Sequence, residues 1–436
     1  MARVLHPVDR VRVSFDDPNL VANAGLLLVG TLVVRLELER VVNALVRLGG
    51  RVGGAQPGRK VLTLVHAMVA GGSHIDHADV LRAGNSASVL PHRVMAPSTL
   101  GTFLRSFTFG HVRQLEAVVG EALRRAWQMG AGPGAARLVL DVDSTICEVA
   151  GRFKAGAAYG YTKVLGYHPL LASRADTGEV LHARLRKGSA NTARGARRFV
   201  EELIARVRRA GATGEIVVRL DSGFWSGDTI ATLGRLDVRY TMAVRANTKG
   251  VSRVIAAIDE HGWRPIDYTP DGEAQVAETI YKGRRLIVRR TRLTDTHQAR
   301  LWPDWRHFAF LTDLDGDAIG LDEFHRGHAT VELDIRDLKE GAGLEHLPSG
   351  SFDANSAWLQ CAVLAHNLTR WTVTIGEPPA EHRTVARTVR FELINIPGRM
   401  VNHGGTPTLR APLQWPWQEW FHRRLDSLRA LLPQPA

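Results

Sequence analysis

Apolar positions along this chain recur with two periods, and the change from one to the other marks out its elements. Leu138–Thr145 (LVLDVDST) and Glu215–Phe224 (EIVVRLDSGF) are short β-branched runs with an alternating polar position, which predicts buried strands. Val139, Asp141 and Asp143 share one face of the first, and Val217, Arg219 and Asp221 one face of the second. Tyr159–Leu171 and Glu179–Arg186 predict two more strands that complete an antiparallel meander with the first. A helix follows from about Ala193 to Arg209, with Phe199, Leu203, Ile204 and Val207 inward and Arg194, Arg197, Arg198 and Arg208 outward. After the strand ending at Asp221 come a short helix from Asp228 and a strand over Val238–Val244.

Before this block, residues 1–130 read as mainly helical. Leu20–Val34 predicts a buried helix pair, and Lys60–Val69 a helix stopped by Gly71-Gly72. Pro97–Phe107 predicts a short helix capped by Ser98, with Leu100, Phe103, Leu104 and Phe107 inward and Thr99, Thr102, Arg105 and Ser106 outward. His111–Gln128 forms a long helix that leads into the glycine-rich joint Met129–Ala135. Beyond Val244 the helical pattern gives way to strands at Trp263–Tyr268, Ala274–Tyr281, Arg284–Arg292 and His307–Thr312, with Lys282-Gly283 turning a hairpin. Phe324–Gly341 (FHRGHATVELDIRDLKEG) then reads as one helix. It brings His325, His328, Glu332, Arg336 and Lys339 to one broad face, beside an apolar stripe of Val331, Ile335 and Leu338. An apolar helix over Ser356–Thr372, a polar linker around 376–382, a hairpin through Gly404-Gly405 and an amphipathic helix over Trp415–Leu432 complete the chain.

Composition changes little of this and adds a partner. The 436 residues, 44% hydrophobic and 23% charged, suffice for two or three domains with a large core. A net charge of +12, a pI near 10.2 and a predominance of arginine among the cations favour a polyanion. Cys147 and Cys361 lie far apart in apolar surroundings and read as buried thiols of a reducing compartment, with no zinc ribbon. The start lacks an early apolar targeting segment, and the Leu20–Val34 tract is shorter than a membrane span.

Candidate chemistry lies at the two strand ends and on the late helix. A lone Asp before Ser suits a turn or cap, and a lone Glu among cations suits a surface helix with i, i+4 pairs. Together, Asp143, Asp221 and Glu332 could converge to hold divalent cations through oxygen ligands. Asp141 shares its face with Asp143 and competes with it. Asp313, Asp315 and Asp317 begin like a calcium loop, but Ala318 stands where glycine is required and Phe324 where the closing glutamate belongs. His74 and His77 lack further ligands nearby and read as surface residues. Trp302 and Trp305 suit either packing or stacking on an unpaired base.

At DST with Asp143, RLDSGF with Asp221, and the helix carrying Glu332 and Lys339, the sequence resembles the DDE transposases of bacterial insertion sequences. In that family's helix pattern an aromatic, an arginine, the glutamate and a lysine recur at fixed spacing. His325 stands here at the aromatic's place and His328 at the arginine's. Asn355–Arg370, including WLQCAVLAHNLTR, is also similar. The resemblance implies an α/β fold: a ribonuclease H-like mixed sheet over 136–247 and 321–375, with an inserted β-rich subdomain at 248–320. A helical DNA-binding region at 1–130 and a C-terminal hairpin and helix at 376–436 flank it. It further implies two Mg²⁺ ions per site, replaceable by Mn²⁺, held by Asp143, Asp221 and Glu332. DNA contacts would fall to His328, Arg336, Lys339, Thr102, Arg105 and Trp302. The expected function is cut-and-paste transposition: binding terminal inverted repeats and target DNA as a homodimer in the bacterial cytoplasm, at the nucleoid, with no membrane partner. A ribonuclease H-like nuclease without strand transfer, and an inactive transposase kept as a DNA-binding regulator, are the alternatives.

Overall fold

The computed structural model describes residues 8–151, 153–160, 162–268, 272–293, 305–377 and 383–432. Nine strands form the central sheet: β1 (Leu138–Ser144), β2 (Leu170–Arg174), β3 (Val180–Arg184), β4 (Ile216–Leu220), β5 (Arg239–Val244), β6 (Arg264–Ile266), β7 (Gly272–Tyr281), β8 (Arg284–Leu293) and β9 (Arg306–Thr312). Their spatial order is β6-β7-β8-β9-β5-β4-β1-β2-β3. β1, β4 and β5 run parallel to their neighbours among themselves, and the other pairings are antiparallel. The half from β3 to β5 agrees with the ribonuclease H-like expectation. β4 is buried throughout and β1 over Leu138 and Leu140–Val142, as parallel strands covered on both faces must be.

The stretch expected as an inserted subdomain does not form a sheet of its own. β9 pairs with β5 along Ala309↔Val244 to Thr312↔Thr241, so β6–β9 lengthen the core sheet. Val217, Val276, Ile287, Phe310, Leu314, Ala318 and Leu321 pack together on one face of this extension. Backbone continuity across the β5–β9 ladder, invisible to a pattern read one segment at a time, accounts for the difference.

Nor do the N-terminal helices build a separate core. Leu26–Arg35, Leu38–Leu45, Pro57–Val69, Pro97–Arg105 and Phe109–Ala126 share one continuous apolar cluster with the sheet and with the Phe352–Thr374 helix. That helix is buried on all sides, from Ala354 to Thr372, because helices cover one flank and the sheet the other. Pro97, rather than a Ser98 cap, starts the Pro97–Arg105 helix. Ser106, expected outward, is buried with its hydroxyl donating to Phe103 O. Among the described residues no helix is long and apolar enough to cross a membrane.

The polar residues of the buried helix have a specific task. β3 is an edge strand, and its outer N–H and C=O groups need partners once covered. Asn367 supplies both: Oδ1 accepts from Val180 N and Nδ2 donates to Val180 O, each at 2.9 Å. Gln360 Nε2 donates to Ala183 O at 3.1 Å. Replacing Asn367 by Leu strands two buried backbone groups, and is expected to cost about 2–5 kcal/mol, read as a lower urea midpoint at unchanged m-value.

Candidate active site

The two strand-end aspartates arrive side by side because β1 and β4 are adjacent and parallel. Their register runs from Leu138↔Ile216 to Val142↔Leu220, so the next residue on each strand is Asp143 and Asp221. Asp221 also caps the turn that follows, Oδ1 accepting from Gly223 N at 2.9 Å. The third acid comes from the helix Thr330–Ala342, which packs on β1 and β2. Burial of Val331, Ile335 and Leu338 leaves Glu332 and Arg336 exposed, with Lys339 half-buried at the rim. A cavity of about 670 Å³ is lined by Asp143, Ser144, Glu332, Arg336 and Lys339. A second, of about 1100 Å³, is lined by Ser222, His325, His328 and Glu332, together with Arg245 and Arg289. Glu332 belongs to both walls.

The electrostatics reflect crowding of like charge. The Asp143 carboxyl is pushed up to about 6, first by burial and then by repulsion from Asp221 and Glu332. The Ser144 N–H, 2.6 Å from Asp143 Oδ1, and the nearby His328 oppose that shift. Three hard oxygen donors whose negative charges repel one another form a donor set that suits Mg²⁺ or Mn²⁺.

A sequence model of the family described as Transposase DDE domain group 1 matches residues 6–433, nearly the whole chain. The chain belongs to the DDE transposases. Among solved structures it resembles the piggyBac transposase in a synaptic complex with hairpin DNA. Identity there is 13% and the TM-score 0.46, with 95% of this chain and 86% of that one covered. No curated protein matches.

Several expected roles fall differently in this transposase. Phe324–Gly341 is not one helix: a helix ends at Arg326, Gly327–Ala329 form a 3-10 turn, and a second helix starts at Thr330. The break falls where Arg219 Nη1 donates to Phe324 O at 2.7 Å, a side-chain bond made into the helical ladder. His325 therefore leaves the Glu332 helix. Its ring stacks on Phe310 at 4.2 Å, its Nδ1 lies 2.7 Å from Thr241 Oγ1, and burial pushes it down to about 3. His328, expected to grip phosphate, has Nδ1 2.7 Å from Asp141 Oδ1, which removes that nitrogen from any ligand. Asp141, the rival of Asp143, is fully buried and forked by Arg219.

Lys339 Nζ donates to Ile146 O at 2.7 Å on the cavity wall, and Arg336 makes no hydrogen bond or ion pair among the described residues. Thr102 and Arg105 line neither cavity. Arg105 is exposed, whereas Thr102 is half-buried with its hydroxyl bonded to Ser98 O at 3.0 Å. Trp302 lies outside the described residues. Trp305 stacks with Arg290 and Arg292 at 4.5 and 4.6 Å, which is a packing role.

Among the described residues, one group of acids and histidines has all its ligand atoms within 4.8 Å, and it is Glu116, His182 and Glu202. Those carboxylates already take the guanidinium groups of Arg113 and Arg184. They form an ion network joining the Phe109–Ala126 helix to β3 and to the Ala196–Ala210 helix, with arginines already balancing the carboxylate charge. The triad is more open than this. Arg219 stands in the sequence on the Asp221 face of its strand with no role assigned, although a signal was present: it precedes Asp221 by the same two residues as Asp141 precedes Asp143.

Proposed function

We propose that this transposase recognises the terminal inverted repeats of a bacterial insertion sequence, cuts the DNA at their tips and joins the freed 3′ ends to target DNA. The reading is supported by Asp143 and Asp221 following adjacent positions of two parallel strands, with Glu332 sharing a cavity wall with Asp143, in a basic protein of this family. Asp143, Asp221 and Glu332 would hold two Mg²⁺ ions, or Mn²⁺ in their place. When bound, such ions supply a nucleophile of lowered pKa and stabilise the leaving oxygen.

The chain's own residues do the positioning that in-line displacement requires, and no side-chain nucleophile is needed. Arg336 offers a planar fork and Lys339 a point charge at the cavity rim, where the phosphates of the cleaved strand would lie. We read residues 136–247 and 321–375 as the catalytic core and 248–320 as its β-rich insert. Residues 1–130 are the DNA-binding region, with Arg105 an exposed contact, and 376–436 a closing segment. Synapsis of two ends would make the working form a homodimer, acting in the cytoplasm at the nucleoid.

The test is purified protein with linear DNA ending in the inverted repeats that flank its coding region, a supercoiled target and Mg²⁺ or Mn²⁺. Cut ends joined to target are expected. Cutting without joining would favour the nuclease, and repeat binding with no cutting the regulator. Arg336→Ala is expected to weaken repeat binding about tenfold and reduce the slope of log K against log salt by about 1, in a filter-binding series.

A further inference from the structure

Beneath the three acids lies a second set of three side chains on the same elements. Asp141 and Arg219 each sit two residues before a triad aspartate, and His328 sits four before Glu332. In the parallel ladder Asp141 is the direct partner of Arg219. Arg219 Nε and Nη2 donate to Asp141 Oδ1 and Oδ2, each at 2.7 Å. Its remaining arm, Nη1, holds Phe324 O at 2.7 Å. His328 Nδ1 completes the set at 2.7 Å from Asp141 Oδ1. A carboxylate only accepts, so this ring nitrogen carries the proton. Side-chain exposure is 0% for Asp141, 7% for Arg219 and 14% for His328. The backbone is shaped to the set as well: a Cβ on Gly327 would lie 2.4 Å from Arg219 Nη1.

We propose that Asp141, Arg219 and His328 are positioning residues that lock β1, β4 and the turn before the Glu332 helix together, so that the three acids keep the spacing their cations require. Stability alone is a poor reason for such a set, since a buried ion pair is often no better than apolar residues of the same volume. What it provides is direction. One carboxylate takes three donors from two other elements, and each donor lies at a short fixed offset from a triad acid. Arg219 is suited to this because its fork is rigid and its third arm is still available for a carbonyl. Outer partners of this kind typically change metal affinity 10- to 100-fold when removed. The inference rests on reading Asp143, Asp221 and Glu332 as the cation site, and one arm of its test does not depend on that.

The test compares His328→Asn with His328→Gln in the full chain, at matched melting temperature. Asn keeps a donor near the place of Nδ1, whereas Gln places its donor near that of Nε2. The first arm is amide hydrogen exchange over residues 324–335 without metal. The other arms are Mn²⁺ binding, followed by the signal of free Mn²⁺, and repeat-DNA binding in EDTA. Expected for Gln are faster exchange and Mn²⁺ affinity roughly tenfold weaker, with DNA affinity unchanged; Asn should behave like the parent. Equal exchange in both variants would overturn the proposal. So would a parental Gln variant beside a defective Asn variant, because the far nitrogen would then be the one that matters. If the parent binds no Mn²⁺ while exchange still separates Gln from Asn, the lock stands and the cation reading falls alone.

Discussion

Asp143→Asn, Asp221→Asn and Glu332→Gln are each expected to cut the rate of repeat-end cleavage by a factor on the order of 10³ or more, while repeat binding in EDTA stays near the parent's. The physical basis is the crowding already described. Burial and the repulsion of Asp221 and Glu332 hold the Asp143 carboxyl up at about 6, so in the metal-free protein its charge is a burden. Asp143→Asn removes that burden. It should melt no lower than the parent in EDTA, and should lose the rise in Tm that Mn²⁺ gives the parent. Asp141→Asn behaves differently: it leaves Arg219 buried and short of its counter-charge, so it should lower Tm in EDTA. Loss of cleavage in Asp141→Asn with full activity in Asp143→Asn would refute the assignment of the acids.

Acidification from pH 6.5 to 5.5 is expected to remove about 4 kcal/mol of stability through four buried histidines. Burial pushes His66, His182 and His325 down to about 3 and His366 to about 4. Their surroundings show why the neutral ring is favoured. His66 is fully buried inside the N-terminal helices, and His92 adds repulsion to its burial. His182 stacks on Phe199 at 4.4 Å, and Arg206 adds repulsion to its burial. His366 is buried in the Phe352–Thr374 helix, where the Arg370 charge adds repulsion to its burial. A depressed folded value means that the unfolded chain binds the proton first. Stability is therefore complete above about 6.5 and lost progressively as pH falls toward the folded values. Urea titrations of the metal-free protein at the two pH values measure it, and an unchanged midpoint would mean that the rings accept protons without unfolding.

Much of the architecture was legible because it rests on local rules. The β-branched runs ending in Asp143 and Asp221, the helix with Phe199 and Leu203 inward, and the hairpin at Lys282-Gly283 all lie within three residues of their expected places. The continuous helix through His325 failed for a non-local reason. Phe324 O is taken by Arg219, a residue from another strand, and no window around Gly327 contains it. The same holds for the sheet: each strand of 264–312 was visible, but its pairing partner was not.

From its sequence alone this chain declares its acids, its basic character and its family resemblance, because residue type and spacing along one segment are enough for each. Tertiary structure alone decides which aspartate is available. Asp141 and Asp143 share a strand face, and only the parallel register that sets Arg219 opposite Asp141 withdraws one and leaves the other at the cleft. A fork of two hydrogen bonds between distant segments is a property of their meeting, and neither segment carries it by itself.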